Sequence, residues 1–471
     1  MNEESLDCDF AVIGSGPGGQ KAAVCAAKAG QRVCLVEEMR ELGGACVHYG
    51  TIPSKTLRAN ALRAAELRRS AALLGVAPPE ALQLSMMLGR VGKVVTRYAG
   101  TVAAQLERNG VERIHGRASF VDPHTLRIVS PGGETREIRA RFVVIACGSR
   151  PRHPEGIPID HEHVFDADSI LSLDYLPRSL AVLGGGVIAC EYASVFAGLG
   201  VHVTLIERGP RPLAFLDEDL SRGFLESFEA EGGQALLRST LSSVEFDGVS
   251  RVEIALEGGA RVGAEKVLVA LGRNACLDRL DLDHAGLAPN ERGVLPVEDG
   301  GRTAVPHIYA VGDAAGPPAL ATSAMEQGRR AVEEALGLEM PAWSAMVPTG
   351  IYAIPELAAV GMTEAAAEEA FGGVAVGRAR FDEVARGQVS DLDAGFLKLV
   401  ADPSGERLVG VHALGEGAAE LIHVGQMALF ANARIDDLID QVFNFPTLAE
   451  AYRIAALDLR NGLREQKPAQ P

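Results

Sequence analysis

Basic residues are in the minority in this 471-residue chain: 45 Lys and Arg stand against 62 Asp and Glu, a formal charge of −17. So acidic a chain has no global attraction for nucleic acid or an anionic membrane surface, which excludes both as main partners. Long apolar runs are missing too. Nothing approaches the roughly 18 consecutive apolar residues of a membrane helix. The opening MNEESLDCDF has neither the basic n-region nor the apolar h-region of a secretory leader. A cytoplasmic location is expected. The seven cysteines, at 8, 25, 34, 46, 147, 190 and 276, contain no C-x-x-C pair and no regular ladder. Neither a secreted disulfide framework nor a bound metal is expected. Aromatics are scarce at 5%, whereas glycine is abundant with 53 residues. That balance suits an α/β protein with many tight strand-to-helix turns, and the length suits about three domains.

What is present is an internal repeat. AVIGSGPGGQKAAVCAAKAGQRVCLVEE begins at Ala11, and AVLGGGVIACEYASVFAGLGVHVTLIER begins at Ala181. A constant offset of 170 pairs Gly14 with Gly184, Gly16 with Gly186, Gly30 with Gly200 and Glu37 with Glu207. Each copy reads as an apolar strand, a glycine turn, an Ala-rich helix and a second strand, which is a βαβ unit with a phosphate-binding turn. In the first copy Gly14, Gly16 and Gly19 permit the tight turn, close backbone approach to a pyrophosphate and tight helix packing. Glu37, at the end of the second strand, can accept from a ribose hydroxyl. The second copy has Gly184, Gly186 and Ala189, with Glu207 favouring the 2′-hydroxyl of NAD. Arg208 and Arg211 stand just beyond; they could receive the 2′-phosphate of NADP or be solvated surface charges. Two dinucleotide sites in one chain follow.

Between the copies the pattern predicts helices over 56–74 and 81–109, a hairpin-like region over 116–139 and a strand over 142–149. The Pro-rich link RPRHPEGIP comes next, where neither sheet nor helix should continue. Beyond the second copy, VLVALGRN (267–274) reads as another strand, followed by HIYAVGDAAG (307–316). From about Pro341, alternating strand patterns with Ala-rich helices predict an α+β unit.

Several stretches are similar to the flavoprotein disulfide reductases, in order and over nearly the whole chain. They are GGACVHYGTIPSK (43–55), IACGS (145–149), the second fingerprint with Glu191, YAVGD (309–313), VPTGIYAIPELAAVGMTE (347–364) and FNFPTLAEAYR (443–453). The resemblance implies FAD at the first fingerprint and NAD(P) at the second. It implies an FAD domain (1–152 and 273–340) split by an NAD(P) domain (153–272), then an α+β dimerisation domain (341–471). It places Asp313 on the flavin ribitol chain, Gly148 with FAD and Gly272 with NAD(P). Lys55 and Glu191 resemble a pair beside flavin N5, where a cation would stabilise electron density arriving on the ring. A plain interhelical ion pair would use the same residues.

The departures from that family are as informative. Its reductases carry C-x-x-x-x-C, whereas here Cys46 is followed by Thr51, and a hydroxyl forms neither a disulfide nor a thiolate. Its acid–base histidine before Pro-Thr is replaced by Phe445, although the orienting Glu450 is retained. No cysteine follows Cys276 to serve mercuric ion reduction. Thr in place of the second cysteine and an aromatic in place of the histidine resemble the soluble pyridine nucleotide transhydrogenase branch. That resemblance implies hydride transfer between NADPH and NAD through FAD. With FAD in one fingerprint, NAD(H) and NADP(H) would share the other in ping-pong fashion. Glu207 should repel a 2′-phosphate unless the arginines outweigh it. The expected site thus holds Lys55, Glu191, Thr51, Cys46 and Glu450. Cys46 is either a packed remnant or a redox-sensing thiol; the other six cysteines read as core, and His412 and His423 as packing residues. A homodimer is implied, with FNFPTLAEAYR facing the partner's flavin. The alternatives are an NADH dehydrogenase passing electrons to a quinone or other acceptor, and a redox-sensing flavoprotein acting through Cys46.

Overall fold

Cys8–Ile13 and Val33–Glu37 are short apolar runs buried on both faces, the signature of inner parallel strands. In the computed structural model, which describes residues 7–77, 83–343, 346–392 and 394–466, they form the centre of a parallel sheet. Its order is Glu112–His115, Val33–Glu37, Cys8–Ile13, Thr135–Ile145 and Ile308–Ala310. The last strand lies far along the chain, so the chain leaves this domain and later returns to complete it. The inserted domain repeats the layout: Gln234–Leu236, His202–Ile206, Ser179–Leu183, Lys266–Val269 and Val164–Asp166, all parallel. A three-stranded antiparallel meander, Leu241–Phe246, Val252–Leu256 and Arg261–Ala264, follows its outer strand.

Several details differ from the sequence pattern. The Pro-rich link does not end pairing at once. Ser149–Pro151 pairs antiparallel with Arg273–Ala275, and this ribbon is where the chain crosses between the two domains. Pro151 sits at the end of a two-stranded ribbon, a position that tolerates its missing N–H. The expected strand 267–274 is broken for the same reason: Gly272 takes φ 104° and redirects the chain into the ribbon. The hairpin-like region is a three-stranded sheet of Arg117–Asp122, Thr125–Val129 and Thr135–Ile145. Helix Thr51–Leu74 starts before the expected boundary, which puts Thr51 and Lys55 in its first two turns. Its partner runs Leu84–Arg108, and residues 81 and 82 of the expected helix lie outside the described residues.

The third unit is a five-stranded antiparallel sheet ending in Phe396–Ala401 and Leu408–Leu414, with helices Ala418–Phe430 and Glu450–Gln466 against it. It is pinned to the inserted domain by a buried charge. Lys398, with a side chain only 2% exposed, donates to Asp217 at 2.7 Å and Asp219 at 2.8 Å, and lies 2.6 Å from Glu364. Asp217 caps helix Glu218–Ala230 of the inserted domain, so the pin joins two domains. Burial opposes the charge on Asp217, but hydrogen bonds from Lys398 and the Glu364 N–H outweigh it and hold the carboxyl below its usual range.

Replacing Lys398 by Met leaves Asp217 as an uncompensated buried carboxylate and should cost about 3–5 kcal/mol. Because the Asp217 and Asp219 carboxyls are depressed in the folded state, the stability they confer is present above about pH 4 and is lost as pH falls further. Thermal denaturation against pH should show the wild-type midpoint dropping on that acid side, with a smaller acid drop in Lys398→Met.

Candidate active site

Both glycine turns are built to bring backbone close to a ligand. Gly14 has φ 102° and an added Cβ would lie 2.3 Å from the Ala146 carbonyl oxygen; at Gly184 the values are 109° and 2.7 Å from Ala270. Helices Pro17–Lys28 and Val187–Gly198 start at Gly16 and Gly186 with no side-chain cap, and open space lies where a Cβ would stand. Each turn therefore presents uncapped N–H groups to a cradle that a pyrophosphate fits. Gly19 packs against Gly14, and Ala189 is fully buried in the second turn. Glu37 accepts from Ser15 N at 2.8 Å, Ser15 Oγ at 2.6 Å and Met39 N at 2.9 Å. It borders a cavity of about 220 Å³ with Leu35, Met39, Arg113, Ile114 and His115. Arg113 and His115 were not legible from sequence. They arrive on a strand from beyond the helical pair, and only sheet pairing brings them to Glu37. These residues fit the adenosine end of FAD.

Asp313 lies at the domain crossing. Ser149 Oγ donates to its Oδ2. Arg273 Nε donates to Ser149 Oγ at 2.9 Å, and its Nη1 donates to Asp168 Oδ1 at 2.8 Å. Gly148 (φ 66°) and Gly272 (φ 104°) flank this network and leave open space where side chains would be. Ser149, Arg273 and Asp168 thus tie the acid expected on the ribitol chain to the inserted domain. The short ribbon that aligns them gave no motif to read.

The expected cation and acid do meet. Lys55 Nζ donates to Glu191 Oε2 at 2.6 Å, joining helices Thr51–Leu74 and Val187–Gly198. Glu191 is 6% exposed, and its other oxygen accepts from Tyr352 N at 2.9 Å. Lys55 keeps part of its surface open and lies 5.1 Å over the Tyr352 ring centroid. Nearby, Arg58 donates to the Ala353 carbonyl at 2.7 Å and pairs with Glu356 at 2.9 Å. Three domains converge on this cation. Tyr352, in the middle of GIYAIPE, was missed as a site residue.

Cys46 lies in the short helix Gly44–His48, facing Thr51. Burial pushes its thiol pKa up, and the Thr51 hydrogen bond and the Lys55 charge do not reverse that. A raised pKa keeps the thiol protonated and unreactive. Of the others, Cys8, Cys34 and Cys190 are buried, whereas Cys25, Cys147 and Cys276 are only half-buried, a smaller core role than the sequence pattern implied. His412 is buried on the Met362 carbonyl, while His423 lies at the surface with Gln426. Among the described residues no group of His, Cys, Asp or Glu could hold a metal ion.

At the second turn, Glu207 accepts from Gly209 N at 2.6 Å and lies against Gly185. Arg208 is exposed. Arg211 turns inward and donates to the carbonyls of Leu216 at 3.1 Å and Ala214 at 3.0 Å, closing its own loop. Far along the chain, Glu450 Oε2 is buried with no partner among the described residues. Phe445 is 68% exposed, and Val442, Phe430 and Met427 are also exposed apolar side chains. A hollow of about 450 Å³ beneath the meander, bordered by His202, Thr204 and Arg261, is lined by none of the glycine-turn residues.

A model of the pyridine nucleotide-disulphide oxidoreductases matches residues 8–328, and one of their dimerisation domain matches residues 347–456. The chain belongs to this family. It is accordingly an oxidoreductase with two Rossmann-like units and a C-terminal dimerisation domain. Its similarity extends to proteins named soluble pyridine nucleotide transhydrogenase. One from Mycobacterium tuberculosis is 40% identical, with 97% of this chain and 98% of the relative covered. One from Photobacterium profundum is 38% identical, with 98% and 99% covered. Among solved structures, LpdA from Mycobacterium tuberculosis superposes with a TM-score of 0.89 at 28% identity, covering 96% of this chain and 99% of that one. No described helix is long and apolar enough to cross a membrane.

If Lys55 acts on the flavin, Lys55→Met should slow anaerobic flavin reduction by a pyridine nucleotide at least about tenfold, one lost charge interaction. Stopped-flow absorbance of the FAD-loaded variant checks this, and unchanged rates would remove Lys55 from the site.

Proposed function

We propose that the protein carries hydride reversibly between NADPH and NAD through bound FAD, NADP(H) and NAD(H) taking turns at the Gly184–Gly186 site. The observation that carries this reading is the loss of a thiol route at both ends of the relay. Thr51 stands against a protonated Cys46, and Phe445 projects at the surface while Glu450 Oε2 is left without a partner. A disulfide reductase needs a second thiol at the first place and an imidazole at the second. The transhydrogenase relatives support the same reading.

FAD supplies the chemistry when bound, taking a hydride from one nicotinamide and returning it to the next. The protein binds and tunes. The two glycine turns hold the pyrophosphates, Glu37 and Glu207 accept from ribose hydroxyls, and Asp313 positions the ribitol chain. Lys55 supplies fixed positive charge beside the ring, and Glu191 with the Tyr352 N–H holds that charge in place. Exposed apolar side chains of the third unit, Phe445 among them, pack against a second copy in a homodimer, a reading the dimerisation-domain match supports. A cytoplasmic enzyme fits this use of soluble nucleotides. Glu207 also favours a second reading: a carboxylate at the ribose edge suits an NADH-specific dehydrogenase with another electron acceptor.

Anaerobic titration separates the two. Under the transhydrogenase reading NADPH bleaches the flavin and NAD then restores its colour without oxygen. Failure of either half-reaction while NADH still bleaches the protein would establish the dehydrogenase instead.

A further inference from the structure

The rim of the NAD(P) turn has two guanidiniums with no hydrogen bond or ion pair among the described residues, and they come from different loops. Arg208 follows Glu207 directly and is exposed. The other is Arg238, just beyond strand Gln234–Leu236. Backbone bonds join its loop to the Glu207 loop: Glu207 N donates to Leu236 O at 2.9 Å, Arg238 N to Gly209 O at 2.9 Å, and Ser239 N to Glu207 O at 3.0 Å. Arg238 is therefore held one hydrogen bond from the residue that fixes the Glu207 carboxylate. It is exposed, and its backbone sits at φ 53°, a left-handed conformation that any residue with a Cβ adopts at a cost.

We propose that Arg208 and Arg238 together read the 2′-phosphate of NADP(H), and that Arg238 is what lets a site carrying Glu207 accept it. This rests on the shared-site reading above and names its specificity residues. A phosphate monoester brings about 1.5–2 negative charges next to the Glu207 carboxylate. One guanidinium offsets the carboxylate alone, whereas two leave a net attraction and can grip phosphate oxygens in bidentate fashion. NAD presents only a hydroxyl, which Glu207 accepts from unaided. Arg211 is set apart from this role because its Nη1 and Nη2 donate to the carbonyls of Leu216 and Ala214, which turns its guanidinium back onto its own loop.

The test uses FAD-loaded protein and calorimetric binding of adenosine 2′,5′-bisphosphate against 5′-AMP. Neither needs turnover, so the result stands apart from whether transhydrogenation occurs. Arg238→Gly should weaken the bisphosphate roughly ten- to hundredfold, the worth of charge-assisted hydrogen bonds, and leave 5′-AMP within about twofold. Glycine accepts the left-handed backbone, so the variant's thermal midpoint should match or exceed the wild type's, which separates lost binding from lost folding. Arg208→Gln should act in the same direction, and Arg211→Gln should leave the ratio of the two affinities unchanged. An unchanged ratio in Arg238→Gly overturns the proposal. So does an equal loss of both ligands, a ratio lost in Arg211→Gln instead, or a wild-type protein with no preference for the bisphosphate.

Discussion

The buried contact between Lys55 and Glu191 is the constraint around which the three units are arranged. Each participant comes from a different unit: Lys55 from helix Thr51–Leu74 of the first, Glu191 from the helix that follows the second glycine turn, and the Tyr352 N–H from the entry to the third. A carboxylate buried this deeply is tolerable only with its oxygens satisfied, so its two partners are structural requirements. The same requirement fixes where an ammonium must stand, and a fixed charge is worth more to chemistry than a mobile one because it needs no reorganisation.

Other joints between units follow the same logic of buried charge with complete partners. Lys398 locks the third sheet to the cap of an inserted-domain helix, and Arg273 ties the two crossings to Asp313 through Ser149. Glu450 is the exception, with one buried oxygen lacking a partner among the described residues.

Much of the architecture was legible because it repeats. Two copies of one βαβ pattern, with glycines and a terminal acid at matching places, each form the centre of a parallel sheet, although the strand beyond the fourth comes late in the chain in one (Ile308–Ala310) and ahead of the repeat in the other (Val164–Asp166). Strand limits were less legible near the domain crossing, where Gly272 and Pro151 make a ribbon from residues that read as a broken strand and a stop. That ribbon depends on pairing between segments more than a hundred residues apart, and no local pattern encodes it.

Taken alone, the sequence determined the chemistry available. Two glycine turns of the dinucleotide type point to nucleotides, and Cys46 is followed five residues on by Thr51 in place of a second cysteine. All of these are carried by residue types at short spacing, which the backbone's local geometry translates directly. Only the tertiary structure decided which charges are free to act. Arg211 is two residues from Arg208's neighbour Gly209 yet its guanidinium is turned onto its own loop, while the Arg238 guanidinium arrives from another strand with no partner among the described residues. The reason is that a side chain's availability depends on what folds against it, and that is a property of contacts between distant segments.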